Sequence, residues 1–324
     1  MAKLGLFIDL RNPPGWHQDP HRLYSFTLEL CEEAARLGAD SVWLSEHHGF
    51  EDGYLTQPLS FATAVAARTT RLRIGTAVVI APLREPALLA EEAAMVDIVS
   101  GGRLDLGLGA GYRLPEYELY GKEMKGRYDA LDDTVRQMRT LWRDGRVPPA
   151  PVQDPVPIWM GYQGPKGARR AGLLGEHLLS AQRSLLEPYQ SGLVEGGHDP
   201  AIAKMASMVP VFATEDPERD WPTVAQHLQY QVDSYLSYGV EGAGNPPPPP
   251  LDTEKARTRG LGKGLSGIVC DTPDVVAAQI NEHLGGLPVD TVFMFASVAG
   301  MPEAMVVEHT RVLCEQVRPL IADL

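Results

Sequence analysis

Short apolar runs recur along the chain at steps of roughly 30 residues, and amphipathic helical patterns fill most of the intervals between them. The runs are LGLFIDL (4–10), SVWLSE (41–46), LRIGTAVVI (72–80), RLDLGLGAG (103–111), VPIWMGY (156–162), HLLSA (177–181), MVPVFAT (208–214) and DTVFMFA (290–296). Several are apolar almost without a break, which suits strands covered on both faces, as in a parallel sheet. Helical patterns run from Leu23 to Leu37, Glu85 to Val99, Arg127 to Trp142 and Pro273 to Leu284. Thr272-Pro273 reads as a cap and first helical position, and Gly38 stands where a C-terminal glycine belongs. Eight βα units in 324 residues predict an α/β fold of the (β/α)8 TIM-barrel kind, which accommodates them better than a doubly wound sheet. The expectation is one barrel domain over residues 1–324.

Two long connections interrupt the alternation. One runs from Tyr112 to Lys125 after the fourth strand. The other, Glu241 to Ser266 between the seventh and eighth strands, contains NPPPPP (245–250) and GLGKGLSG (260–267). Its prolines stiffen the backbone and its glycines supply hinges. It reads either as a lid over a site or as an insertion without a role.

A formal charge of −13 argues against nucleic acid or an anionic membrane as partner, because both need clustered cations. The longest apolar run, TAVVIAPL (76–83), falls well short of the ~18 residues of a membrane span. MAKLGLFIDL carries no signal-peptide pattern, so a cytoplasmic protein is expected. Cys31, Cys270 and Cys314 are far apart and read as reduced thiols.

Sites of such barrels lie at the carboxyl ends of the strands, which is where Glu46, His47 and His48 fall. Adjacent residues on a strand point to opposite sides, and no H-x-H or H-E-x-x-H pair occurs, so the spacing disfavours a metal. One imidazole aimed into the barrel mouth would serve acid–base chemistry; two surface histidines remain the plain alternative. WMGYQGPKGARR (159–170) ends a strand in glycines and opens a helix at Pro165, a suitable seat for a phosphate with Lys166 and Arg169 nearby. GLGAGY (107–112) lacks dinucleotide-loop spacing. Its glycines point either to a flat group lying against the backbone or to close packing at the barrel rim.

Taken in order, WLSEHH (43–48), IGTAVVIAPLREPALLAEEAAMVD (74–97), SGGRLDLGLGAGY (100–112), ELYGKEM (118–124), VPIWMGYQGPKGARRAGLLG (156–175) and CDTPDVVAAQI (270–280) resemble the bacterial luciferase-like flavin monooxygenases over nearly the whole chain. The resemblance implies a TIM barrel that binds reduced FMN, supplied by a separate flavin reductase. It further implies oxygenation of a small organic substrate by O2 through a flavin C4a-peroxide, as hydroxylation or Baeyer–Villiger insertion. His47 matches the family's active-site histidine. Ala77 and Val78 match its non-prolyl cis peptide beneath the flavin ring. Gly109, Ala110 and Tyr112 match residues beside the flavin, Gly161, Gln163, Gly164 and Gly167 the turn around its phosphate, and Ala181 and Gln182 positions near the ring. Where luciferases proper carry a cysteine and an arginine, this chain has Gly109 and Ala110. Compensation of the phosphate charge is thereby left to Arg113, Lys166 or Arg169. Substrate contacts are expected from Arg11, Trp16 and His48, and from the lid-like insertion. A homodimer is expected by the same resemblance. A deazaflavin-dependent oxidoreductase and a non-catalytic flavin-binding barrel are the alternatives.

Overall fold

The computed structural model describes residues 2–241, 246–261 and 267–321. Its centre is a closed barrel of parallel strands: β1 (Lys3–Ile8), β2 (Ser41–Leu44), β3 (Arg73–Thr76), β4 (Leu104–Gly109), β5 (Ile158–Met160), β6 (His177–Leu178), β7 (Met205–Met208) and β8 (Val289–Phe295). Neighbours in the barrel are neighbours in the chain, and β8 closes the ring on β1, with Lys3 opposite Thr291 and Phe7 opposite Phe295. The join between β6 and β7 is the thinnest, a single pairing of Leu178 with Met205.

Around the barrel lie α1 (Pro20–Leu37), α2 (Pro58–Arg68), α3 (Pro86–Ser100), α4 (Leu114–Leu119), α5 (Arg127–Arg143), α6 (Pro165–Leu173), α7 (Leu186–Glu195), α8 (Pro217–Val240), α9 (Thr253–Arg259), α10 (Pro273–Leu284) and α11 (Glu303–Val312). Six of them begin on a proline, at Pro20, Pro58, Pro86, Pro165, Pro217 and Pro273. Its fixed φ is already helical, and its missing N–H would have no partner at that position. Gly38 ends α1 at φ 92°, the left-handed turn that glycine adopts without penalty. Inside the barrel the Trp43 ring stacks on Phe293 at 4.7 Å and meets Trp159 edge-on at 6.0 Å. These large side chains make the centre a packed core. Among the described residues no helix is long and apolar enough to cross a membrane.

Two expectations change in detail, and a third falls partly outside the described residues. The seventh barrel strand is Met205–Met208, upstream of the expected 208–214. Val211–Ala213 instead leaves the barrel and pairs with Val269–Asp271 in a separate two-stranded sheet. Pro210 stands between the two segments and has no N–H to continue the ladder. The third run divides as well: β3 stops at Thr76, the Ala77–Val78 peptide is cis, and Val79–Ile80 resumes pairing against β4. In the expected lid-like insertion, residues 242–245 and 262–266 lie outside the described residues. The described remainder holds the exposed prolines 246–250 and α9.

Candidate active site

At the carboxyl ends of β5, β6 and β7 a cavity of about 380 Å³ opens. Ala77, Val78, Gly161, Gln163, Ala181 and Gln182 line it, all singled out in the sequence. Phe7, Phe293, Leu179, Met208, Val209 and Pro210 give it apolar walls; Ser180, Ser207, Leu261 and His283 complete the lining. The Gln182 amide donates to Gln163 Oε1 at 3.4 Å across its rim.

Backbone proximity shapes this side of the site. Thr76 Oγ1 donates to the Gly107 carbonyl and accepts from the Gly107 N–H, both at 2.8 Å. A Cβ at Gly107 would overlap the Thr76 carbonyl oxygen, and one at Gly109 would overlap the Val78 side chain. At Gly161 a Cβ would stand 2.7 Å from Val78 Cγ1. The glycines of GLGAGY thus admit the neighbouring 76–78 segment, so Val78 can project into the cavity.

His47 lies in a different enclosure, outside the lining of that cavity, and is only 8% exposed. Its Nδ1 is 2.8 Å from Glu116 Oε1 in α4, and the same oxygen accepts the His48 N–H at 2.9 Å. A carboxylate at Nδ1 favours the Nδ1–H tautomer and leaves Nε2 as the acceptor. Nε2 faces the Tyr112 hydroxyl at 3.4 Å. Phe50 stacks on the imidazole at 4.6 Å, while Tyr54 and Tyr235 present their edges at 4.7 and 6.1 Å. The Tyr54 hydroxyl joins Ser45 Oγ at 2.7 Å to the Tyr235 hydroxyl at 2.6 Å. Burial raises the pKa of Tyr54, Tyr112 and Tyr235 above the ordinary phenol value, so all three stay neutral donors at physiological pH. Glu116 Oε2 is buried with no hydrogen-bond partner.

Most of the remaining expected residues lie outside both places. Tyr112 belongs to the His47 chamber. Gly109, Ala110, Gly164 and Gly167 do not line the cavity. The Ala110 carbonyl accepts the Tyr117 hydroxyl at 2.5 Å, Gly164 turns into α6 at φ 87°, and Gly167 packs on Tyr162. His48 is buried, with Nε2 2.7 Å from Glu46 Oε1 and Nδ1 3.2 Å from the Tyr120 hydroxyl. Glu46 also accepts the Ile80 N–H at 3.0 Å and pairs with Arg84 at 3.1 Å, which ties the rim between β2 and β3. Arg11 is a buried partner of Asp52, its Nε donating at 2.6 Å. Trp16 packs on His227 at 4.1 Å, the rings tilted by 41°. Neither Trp16 nor Arg11 lines the cavity. Of the three cations expected near a phosphate, Arg113 lies on the His47 side and Arg169 pairs with Glu195. Lys166 is exposed beside the start of α6. Sequence reasoning missed Glu116, Phe50, Tyr54 and Tyr235. Glu116 carried one usable signal, an acid in the connection after a barrel strand, at the face where sites form.

Comparison with known proteins agrees with this architecture. The family model for luciferase-like monooxygenases matches residues 2–287. The chain belongs to that family. An F420-dependent glucose-6-phosphate dehydrogenase of Amycolatopsis mediterranei is 30% identical over 227 residues, 64% of this chain and 65% of that protein. The oxygenase component of a flavin-dependent trigonelline monooxygenase of Acinetobacter baylyi is 33% identical over 179 residues, 50% of this chain and 49% of that protein. The chain therefore spans between about half and two thirds of the length of these curated relatives. Among solved structures, the monooxygenase RslO1 of Streptomyces bottropensis superposes with a TM-score of 0.81 at 23% identity, over 98% of this chain and 99% of that one; at that identity the likeness speaks for the fold. The named enzymes among this chain's relatives include flavin-dependent monooxygenases and dehydrogenases dependent on F420.

Proposed function

We propose that this family member is a flavin-dependent monooxygenase that uses reduced FMN and O2 to oxygenate a small organic substrate. The observation that carries the reading is the cavity beside the Ala77–Val78 peptide. Its apolar walls suit a flat ring, and Gln163, Gln182, Ser180 and Ser207 offer polar contacts. Next to it, the first N–H groups of α6 lack intrahelical acceptors, and with Lys166 they suit a phosphate. The residues present therefore fit FMN. Bound there, reduced FMN supplies the electrons for oxygen activation. The chain's part is to exclude water with Phe7, Phe293, Met208 and Val209 and to move a proton at His47 Nε2, with Glu116 holding Nδ1. The Tyr112 hydroxyl is the nearest hydrogen-bond partner of that nitrogen.

A separate flavin reductase delivers the reduced cofactor in this scheme. Two copies of the chain associate through α3, which leaves Leu88, Met95, Ile98 and Val99 uncovered beside the exposed Glu91; such a stripe is a common mark of a protein interface. A second reading, a deazaflavin-dependent oxidoreductase, is favoured by the F420-dependent relative at 30% identity.

An anaerobic titration of the purified protein with reduced FMN and with reduced F420 separates the two. Saturable binding of FMN, followed by substrate oxygenation when oxygen is admitted with a reductase, is the expected result. Binding of F420 alone would overturn the monooxygenase reading in favour of the second.

A further inference from the structure

Arg113 follows Tyr112 in the loop after β4, and its side chain is 5% exposed against 42% for its partner Glu241. Its Nε donates to Glu241 Oε2 at 2.6 Å, and its Nη2 lies 2.5 Å from the same oxygen. Nη1 donates to the His48 carbonyl at 2.5 Å. The guanidinium lies 5.1 Å from the Phe50 ring centre and 4.7 Å from that of Tyr238. Phe50 is also the ring stacked on His47, and Tyr238 belongs to the last turn of α8.

A guanidinium stays protonated, and a buried one needs an anion beside it. Here the anion comes from the residue directly after α8, whose carboxylate is well exposed and has no second donor among the described residues. Such a counter-ion is replaceable. We infer that Arg113 is the receptor for a carboxylate of the substrate, which takes the place of Glu241. The exchange of one carboxylate for another leaves the buried charge balanced. A neutral ligand would either leave Glu241 in place or leave the guanidinium uncompensated. The rings of Phe50 and Tyr238 pack on each other at 3.8 Å beside the guanidinium, so the ligand approaches from the exposed side that Glu241 holds. A ligand anchored there has one ring, Phe50, between its carboxylate and the His47 imidazole. The inference rests on the proposed function only in calling the ligand a substrate.

Benzoate and benzamide are the probes, with binding to the full chain measured by calorimetry without cofactor. The wild-type protein is expected to prefer benzoate. Glu241→Gln removes the competing charge and should tighten benzoate about tenfold, in line with a hydrogen bond to a charged group, while leaving benzamide unchanged. Glu187→Gln, a remote surface acid, should alter neither. Arg113→Gln should abolish the preference; because this variant also loses the bond to His48, Glu241→Gln carries the test alone if it fails to fold. Equal benzoate binding by wild type and Glu241→Gln, or equal tightening of both probes, overturns the inference. No flavin enters the assay, so its failure is distinct from a failure to bind reduced FMN.

Discussion

Beside the Ala77–Val78 peptide, glycines let neighbouring segments approach too closely for any Cβ, whereas around His47 the walls are side chains drawn from four separated stretches. On the cavity side, Gly107, Gly109 and Gly161 leave no room for a Cβ against Thr76 or Val78. On the chamber side, Glu116 comes from α4, Tyr112 from the loop after β4, Tyr54 from the loop after β2 and Tyr235 from α8. Approaches this close tolerate almost no substitution, least of all at Gly107, where the neighbour is a peptide that cannot move aside as a side chain does. A chamber of side chains can be retuned residue by residue. The cavity is therefore the part suited to a constant cofactor, and the chamber the part suited to a variable substrate.

The largest expected effect follows directly. Gly107→Ala sets a methyl group on the Thr76 carbonyl oxygen and breaks the reciprocal bonds of Thr76 Oγ1. It should cost about 4 kcal/mol or more, measured as a fall in the urea midpoint. Tyr238→Phe, on the chamber side, removes only the hydroxyl that accepts the Glu51 N–H at 3.2 Å and should cost about 1 kcal/mol. A Gly107→Ala protein as stable as wild type would break the contrast, since the backbone approach would then not be what shapes the cavity.

Next in size is Glu116→Gln. The amide oxygen can still accept from His47 Nδ1 and the His48 N–H, so the geometry survives while the negative charge is lost. Under the proposed function kcat should fall about a hundredfold, with binding of reduced FMN unchanged. A parallel loss of FMN binding would mean that chamber and cavity act as one unit, and the division drawn above would fail.

The same contrast explains what the sequence could disclose. The barrel was legible because strands covered on both faces leave continuous apolar runs and prolines mark helix starts, and both signals are local. The seventh strand was misplaced because Met205–Met208 is short and weakly patterned, while the more apolar segment downstream of Pro210 forms its own small sheet. The cavity was partly legible for the same reason: glycine spacing in GLGAGY and WMGYQGPKG records close backbone approach, although it cannot say what approaches. Nothing local marked Glu116 as the partner of His47, 69 positions away, or Tyr235 as the partner of Tyr54, 181 away. Those pairs exist only once the barrel has closed and α8 has crossed its mouth. Arg11 shows the same limit of local reading. A cation in the loop after the first strand reads as a ligand contact, yet in the fold it is consumed by Asp52 and enclosed by the rings of Tyr54, Tyr230 and Tyr235.

The smallest expected effect tests the edge of the cavity, where a side chain stands beside backbone donors. Lys166 is exposed, and among the described residues it has no ion-pair partner, whereas Arg169 is held by Glu195 and Arg170 by Asp129 and Asp132. If the free N–H groups at the start of α6 carry most of the phosphate's affinity, the lysine adds only a solvent-screened attraction. Lys166→Ala should then weaken FMN about threefold at low ionic strength. The difference should vanish near 1 M salt, where the screening length drops to about 3 Å. Riboflavin, which lacks the phosphate, should bind both proteins alike. A loss shared by FMN and riboflavin would instead place Lys166 in the structure of the cavity wall, and a loss that persists in high salt would mean that the ammonium closes onto the phosphate and is buried with it.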